Sequence, residues 1–182
     1  EKMIYDFIDY ETNALYREGV CFLKPEQDSS QYSNQCFEGE YLIWGDSHGA
    51  ALSYGLRAQG NFSQLTSFAC PPILHIDFVG RPNCRENNKF IIEKIKSGEF
   101  TKVFIHTNWI GYSIEEISKF KNTLTELNSI NNDIDIFILG GVPQWQPSLP
   151  RYLVSSKVLL SNIEKDLYVL NSQFKKVKNR DY

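Results

Sequence analysis

The sequence predicts an α/β fold in which a parallel sheet of about five strands lies between helices. Short apolar runs alternate with segments of helical character, an order that is typical of parallel sheets with helices on both faces. The chain has 182 residues, a length that suits one domain. Hydrophobic residues make up 42% of it and charged residues 23%, which is typical of globular proteins and excludes a disordered chain.

The predicted strands are short runs that end at a turn or at a chain-breaking residue; three of them are mostly apolar, and the second mixes apolar with polar residues. The four runs are 41–44, 62–69, 103–105 and 134–139, and a fifth strand is predicted to open at Val177. Helices are predicted over 49–58, 86–97, 114–130 and 156–175. In such sheets the binding and catalytic residues lie at the carboxyl ends of the strands. The residues that follow these runs are therefore candidate site residues.

Residues 1–40 are polar and irregular, and they are predicted to form an N-terminal extension before a domain over 41–182. The first residues are acidic where a signal peptide is basic, and a methionine stands at position 3. We therefore expect the chain to be a piece of a longer protein. No apolar run approaches the ~20 residues that cross a bilayer. The net charge of −3 argues against a nucleic-acid partner.

The four cysteines form two pairs that are local in sequence. The pattern predicts the disulfides Cys21–Cys36 and Cys70–Cys84, since no Cys-x-x-Cys is present and no histidine lies at zinc-ligand spacing. Disulfides indicate an oxidising compartment, either the periplasm or the cell exterior. The alternative is four buried free thiols in a cytosolic protein.

The turn after the first predicted strand, Gly45-Asp46-Ser47-His48, leads directly into a helix. A serine on such a turn exposes its hydroxyl at the edge of the sheet. The helix N-terminus adds backbone N–H groups and a positive dipole end, which stabilise an oxyanion on a substrate carbonyl. The turn therefore indicates a nucleophilic Ser47. The alternative is that Ser47 is a helix N-cap, helped by Asp46.

The run from Trp44 to Gly49 resembles the first signature block of the SGNH (GDSL-like) hydrolases. It looks most like the Gly-Asp-Ser-His variant found in SGNH domains fused to acyltransferase-3 membrane proteins. Other pieces agree in order and approximate spacing: a cysteine pair before the motif, Cys70-Pro71-Pro72 with a partner cysteine after it, Asn108-Trp109, and Gly141-Val142-Pro143. The resemblance covers roughly residues 20–180.

The resemblance implies a three-layer α/β/α, flavodoxin-like SGNH hydrolase fold on the periplasmic or extracellular face, tethered to the membrane in the full-length protein. It implies an O-acyltransferase that modifies surface polysaccharide, lipopolysaccharide or peptidoglycan sugars, usually by O-acetylation. The implied partners are an acyl donor delivered by a membrane acyltransferase domain and a saccharide acceptor, and no metal or organic cofactor is indicated. Two alternatives stay open: a free-standing carbohydrate O-acetylesterase, and a non-catalytic saccharide-binding or positioning module that has lost its base.

In this resemblance Ser47 is the nucleophile, and its own backbone N–H is one oxyanion donor. Asn108 ends the third predicted strand, where the asparagine block of the family falls, and would be a second donor. The alternative is a strand-end asparagine that bonds its own loop. The glycine block of the family is not recognisable, because Cys70-Pro71-Pro72 occupies its region.

A serine nucleophile needs a general base, which the family takes from a late Asp-x-x-His element. This sequence has no Asp-x-x-His, so we expect the chain to stop before that element and to have little catalytic activity by itself. None of the three histidines is the expected substitute. His48 is predicted to point away from Ser47, His75 to lie in a surface loop, and His106 to pack or hydrogen-bond within a strand. Asp46 is predicted to be a turn residue rather than a triad carboxylate.

Trp109 and Trp145 follow predicted strand ends, on the side of the expected site. Aromatic faces stack on sugar rings, so both are candidate contacts for a saccharide. The alternative for each tryptophan is core packing or loop anchoring.

Overall fold

The computed structural model describes residues 12–130 and 134–142. All of these except Val142 belong to one compact unit, Asp9–Gly141. The strands are β1 (Phe22–Leu23), β2 (Tyr41–Gly45), β3 (Phe62–Ser67), β4 (Lys102–His106) and β5 (Asp135–Ile138). The α-helices are α1 (Thr12–Tyr16), α2 (Ser47–Gln59), α3 (Cys84–Lys96), α4 (Ile114–Ser118) and α5 (Phe120–Asn128). Within the described ranges, no helix is long and apolar enough to cross a membrane.

The five strands form one parallel sheet in the order β1-β3-β2-β4-β5. Gly45, the last residue of β2, is paired with Thr66 in β3 and with His106 in β4. The three central strands therefore end side by side. We call this side of the sheet its carboxyl edge, and it is the side where parallel sheets place their sites.

The four strands predicted from apolar runs are all present, and their bounds differ by one or two residues. The largest difference is in β3, which ends at Ser67 rather than at residue 69. Ala69 adopts a φ of 45° in the turn that follows, so the chain turns away before Cys70. The predicted helix 156–175 and the strand at Val177 lie outside the described residues.

The edge strand β1 is a correction to the sequence analysis, which described residues 1–40 as irregular. Phe22 and Leu23 pair with Thr66 and Ser67 of β3, so this segment belongs to the same sheet as the residues after 41. A strand of two residues has no alternating pattern, which is why the sequence does not reveal it. With β1 the described residues contain five strands, and the strand predicted at Val177 stays a prediction.

The helix predicted over 114–130 is also a correction, because the structure divides it into α4 and α5. Ser113 begins α4 with a capping box, in which its hydroxyl accepts from the Glu116 backbone and the Glu116 carboxylate accepts from the Ser113 backbone. At the end of α4 the N–H of Lys119 donates to the carbonyl of Glu116, three residues back, at 3.0 Å. This tighter turn interrupts the α-helical hydrogen bonds and separates α4 from α5.

The main core lies between one face of the sheet and helices α3 and α5. The strands contribute Leu42, Trp44, Leu65, Val103 and Ile105, and the helices contribute Ile91, Ile92, Ile95, Phe120 and Leu127. Each such side chain stabilises the fold by roughly 1.5–3 kcal/mol when fully buried. Helix α2 packs on the opposite face, where Gly49 lies beside Ile43 and Thr66. The sheet is thus a middle layer between helices, as predicted.

Both predicted disulfides are formed, and no cysteine is free. Cys21–Cys36 holds the residue before β1, and the carbonyl of Cys21 accepts a hydrogen bond from the N–H of Thr66 at 3.0 Å. Cys70–Cys84 joins the end of the turn after β3 to the start of α3. The alternative of four free thiols is therefore wrong.

Candidate active site

Ser47 is the first residue of α2 and stands at the carboxyl edge of the sheet, directly beyond β2. The residue that caps the helix is Asp46, whose carboxylate accepts a hydrogen bond from the N–H of His48 at 2.8 Å. The alternative interpretation of Ser47 as the N-cap is therefore wrong. Its side chain is half-buried, and its hydroxyl forms no hydrogen bond with any residue in the described part of the chain.

Two glycines explain why the Ser47 turn lies so close to β4. A Cβ atom at Gly45 would overlap the carbonyl oxygen of His106, so only glycine fits there. A Cβ at Gly49 would lie 3.1 Å from the same oxygen and 3.4 Å from the methyl group of Thr66. The spacing of four residues places both glycines against the end of β4, which brings the first turn of α2 onto the edge of the sheet.

The carboxylate of Asp46 is the centre of a buried hydrogen-bond network, and the residue is 1% exposed. Its Oδ1 atom accepts from the His48 N–H, as described above. Its Oδ2 atom accepts from the Thr107 hydroxyl at 2.6 Å, the Asn108 N–H at 3.0 Å and the Tyr112 hydroxyl at 2.8 Å. Burying a carboxylate is costly unless several donors satisfy it, and four donors do so here. Asp46 therefore caps the start of α2 and stabilises the turn, as the sequence analysis predicts.

Tyr112 is a member of this network that the sequence analysis missed. Burial, reinforced by the negative charge of Asp46, raises the pKa of the Tyr112 hydroxyl well above its usual value of about 10. The hydroxyl therefore keeps its proton and remains a donor to Asp46. No motif in the sequence points to Tyr112, because its partner is 66 positions earlier in the chain.

Asn108 lies beside the Ser47 turn, since its backbone N–H donates to the same carboxylate that caps α2. It precedes the short 3-10 helix Trp109–Gly111, and its side chain does not cap that helix. The side-chain amide lies against Gly111, where a Cβ atom would come within 2.5 Å of Nδ2. Asn108 and Ser47 are thus brought to one part of the carboxyl edge, as the parallel-sheet argument predicts.

The three histidines take different places. His106 ends β4 and is 1% exposed, and its Nδ1–H donates to the carbonyl of Leu139 at 3.2 Å. Its Nε2 atom is buried and has no hydrogen-bond partner among the described residues. The His106 ring lies 6.1 Å from that of the half-buried His48, measured between centroids. His75 lies in an exposed loop with a φ of 63°. Within the described part of the chain, none of the three forms a hydrogen bond with Ser47.

Trp109 is anchored in the loop after β4. Its indole N–H donates to the carbonyl of Leu139 at 2.6 Å, and its ring packs edge-on against Phe120 at 5.0 Å. These contacts show how the loop is held, and a saccharide contact by Trp109 stays a prediction. Trp145 lies outside the described residues.

No cluster of histidine, cysteine, aspartate and glutamate in the described ranges could hold a metal ion. A cleft of about 310 Å³ lies between α3, α5 and the loop of His75, and neither Ser47 nor Asn108 lines it.

Comparison with known families supports the resemblance drawn from the motif. The model of the SGNH domain fused to AT3 domains matches residues 9–180. The chain belongs to this family. The match extends over nearly the whole sequence, well beyond the Gly-Asp-Ser-His turn, and so confirms the family predicted from the sequence.

A solved structure similar to this SGNH domain is the periplasmic domain of a lipopolysaccharide acetyltransferase from Salmonella ser. Paratyphi A. The TM-score is 0.62 and the sequence identity is 24%. The match covers 85% of this chain and 66% of that chain, so this chain spans less than two thirds of that domain's length. The likeness confirms the predicted fold. A search of curated proteins finds no match.

Proposed function

We propose that this SGNH domain belongs to an O-acyltransferase and that Ser47 carries the acyl group as an ester during transfer to a sugar hydroxyl. The fusion of the family to AT3 domains supports an acyl donor from a membrane acyltransferase domain. The description of the structural neighbour as a lipopolysaccharide acetyltransferase supports acetyl as the group and a surface saccharide as the acceptor.

The observation that most supports this proposal is the place of Ser47 at the start of α2, with a half-buried hydroxyl that no described residue binds. The first N–H groups of a helix have no carbonyl within the helix to bond, so they are available to an oxyanion. The N–H of Ser47 is one such donor. The side-chain amide of Asn108, on the same edge, is the proposed second donor.

The proposed reaction has two steps. The Oγ atom of Ser47 attacks the carbonyl carbon of the acyl donor, its proton passes to a general base, and the donor's leaving group departs with a proton. A sugar hydroxyl then loses its proton to the base and attacks the acyl-serine, which restores Ser47 and releases the O-acylated sugar. No described histidine bonds to Ser47, so the proposal requires a base from outside the described residues, such as the Asp-x-x-His element of the family.

The two disulfides support a location in an oxidising compartment, because the cytosol keeps most thiols reduced. We place the domain on the periplasmic or extracellular face, tethered to the membrane through another part of the protein. On that face a membrane domain could supply the acyl donor to Ser47, and surface saccharides are accessible.

The experiment that tests the proposal uses the natural full-length protein and p-nitrophenyl acetate as the donor. Mass spectrometry of peptides should find one acetyl group on Ser47, and Ser47→Ala should remove it. The control is Ser118→Ala, which changes an exposed serine in α4 and should retain the acetyl group on Ser47.

The outcomes separate the proposal from its alternatives. Faster loss of the acetyl group when a saccharide is added, with acetyl found on the sugar, supports a transferase. Loss to water at a rate that no saccharide changes supports an esterase instead. Absence of acetyl from Ser47 in the wild-type protein rejects Ser47 as the nucleophile and supports a non-catalytic module.

A further inference from the structure

We infer that Tyr112 is a positioning residue that holds Ser47 and Asn108 in place through the carboxylate of Asp46. The inference rests on the proposed function, because it gives Tyr112 a part in the acylation of Ser47. Three geometric observations support it: the shared carboxylate, the loop that Tyr112 closes and the packing of its ring. The raised pKa of the Tyr112 hydroxyl agrees with them.

The shared carboxylate joins two segments that are far apart in sequence. Its Oδ1 atom binds the first turn of α2 through the His48 N–H, and its Oδ2 atom binds the segment after β4 through Asn108 and Tyr112. A carboxylate is planar and rigid, so a rotation of this group moves both sets of hydrogen bonds together. The position of Ser47 relative to Asn108 therefore depends on how firmly Asp46 is held.

Tyr112 differs from the other donors to Oδ2 in its place along the chain. Thr107 and Asn108 follow β4 directly and are held by the strand, whereas Tyr112 comes after the 3-10 helix Trp109–Gly111. Its hydroxyl therefore ties the far end of the loop 108–112 back to Asp46. The side-chain amide of Asn108 lies inside this loop, against Gly111, so the closure of the loop confines the proposed oxyanion donor.

The ring of Tyr112 is itself supported. It packs edge-on against Phe78 with 5.9 Å between centroids, and Phe78 lies in the loop that Cys70–Cys84 closes. Because the ring packs independently of the hydroxyl, Tyr112→Phe should retain this contact and the fold. The raised pKa of Tyr112 keeps the hydroxyl protonated across the neutral and mildly alkaline range, so it donates throughout that range.

The test compares the rate of Ser47 labelling by a fluorophosphonate in the natural full-length protein and its variants. In Tyr112→Phe we expect the maximal labelling rate to fall about tenfold, which is about 1.4 kcal/mol of transition-state stabilisation, with little change in the concentration for half-maximal rate. Hydrogen exchange at the backbone amides of His48 and Asn108 should quicken in the same variant. 4-Aminophenylalanine at position 112 restores a donor and should restore the rate.

The matched control is Tyr32→Phe, which removes another buried hydroxyl, bonded to Thr66 and Ser67 in β3 rather than to Asp46. It should lower the melting temperature and leave the labelling rate unchanged. A wild-type rate in folded Tyr112→Phe overturns the inference and leaves the proposed function standing. A slow rate that 4-aminophenylalanine does not restore also overturns it, as does a wild-type protein that is not labelled at Ser47, which overturns the proposed function as well.

Discussion

The indole N–H of Trp44 donates to the side-chain carbonyl of Asn88 at 2.9 Å, and both residues are almost fully buried. Trp44 is the last large side chain of β2 before the Ser47 turn, and Asn88 lies in α3. The amide of Asn88 donates in turn to the carbonyl of Pro71 at 2.8 Å. One asparagine thus joins the central strand, the helix and the loop after Cys70.

Asn88→Ala is expected to destabilise the domain, because it leaves the N–H of Trp44 buried without an acceptor. An unsatisfied buried donor costs about 1–3 kcal/mol. In a protein of this size each kcal/mol lowers the melting temperature by about 2–4 °C. Thermal unfolding followed by circular dichroism measures the change. Lys89→Ala, on the exposed side of the same helix, is the control, and an equal melting temperature in the two variants would contradict the argument.

Two glycines of the same region are expected to respond in opposite ways to substitution by alanine. In Gly45→Ala the new methyl group overlaps the backbone of His106, so the free energy of unfolding should fall by about 1–3 kcal/mol or more. In Gly55→Ala the methyl group meets no atom within 4 Å and replaces a glycine inside α2, so the free energy should rise by about 0.5–1 kcal/mol. Urea denaturation measures both. Equal effects would show that contact with β4 does not select Gly45.

Stability should decline at alkaline pH in part through Tyr112. Burial and the charge of Asp46 raise its pKa in the folded state, so the folded state holds this proton more tightly than the unfolded state. The contribution is complete below the unfolded value of about 10 and is lost as the pH rises above it. The loss of unfolding free energy between pH 9 and pH 11 should therefore be smaller in Tyr112→Phe than in the wild type. Equal losses would exclude this role.

The sequence predicted those parts of the fold that are marked by a run of neighbouring residues or by a chain-breaking residue. An apolar run that ends at Gly45 locates β2, and the break at Pro71 limits the run that contains β3. The rule that parallel strands end together places Ser47 and Asn108 on one edge. The two-residue strand β1 and the break at Lys119 have no such signal. Both accompany tertiary contacts: β1 pairs with β3, and Phe120 and Leu127 of α5 pack in the core.

The Asp46 network could not be predicted from the sequence for the same reason. Its donors Thr107, Asn108 and Tyr112 lie 61 to 66 positions after Asp46, and none of them belongs to the motif of the Ser47 turn. Only the parallel pairing of β2 with β4 brings the two segments together. The motif therefore locates the proposed nucleophile, whereas the hydrogen bonds around Asp46 become visible only in three dimensions.

The two disulfides should have equal effects on stability and different effects on Ser47. They close loops of 15 and 14 residues, so losing either should cost about 3 kcal/mol through the entropy of the unfolded chain. Only the loop 70–84 contains Phe78, against which Tyr112 packs. Replacing Cys70 and Cys84 by serine should therefore slow the labelling of Ser47 at a temperature where both variants are folded.

The same replacement at Cys21 and Cys36 should leave the labelling rate unchanged. That disulfide holds β1, an outermost strand of the sheet that is separated from β2 by β3. Urea denaturation measures the stability of each variant, and fluorophosphonate labelling measures the reactivity of Ser47. Equal labelling rates in the two variants would show that Phe78 does not support Tyr112. A slower rate in the Cys21 and Cys36 variant alone would instead place the control of Ser47 in β3, which binds β1 on one side and β2 on the other.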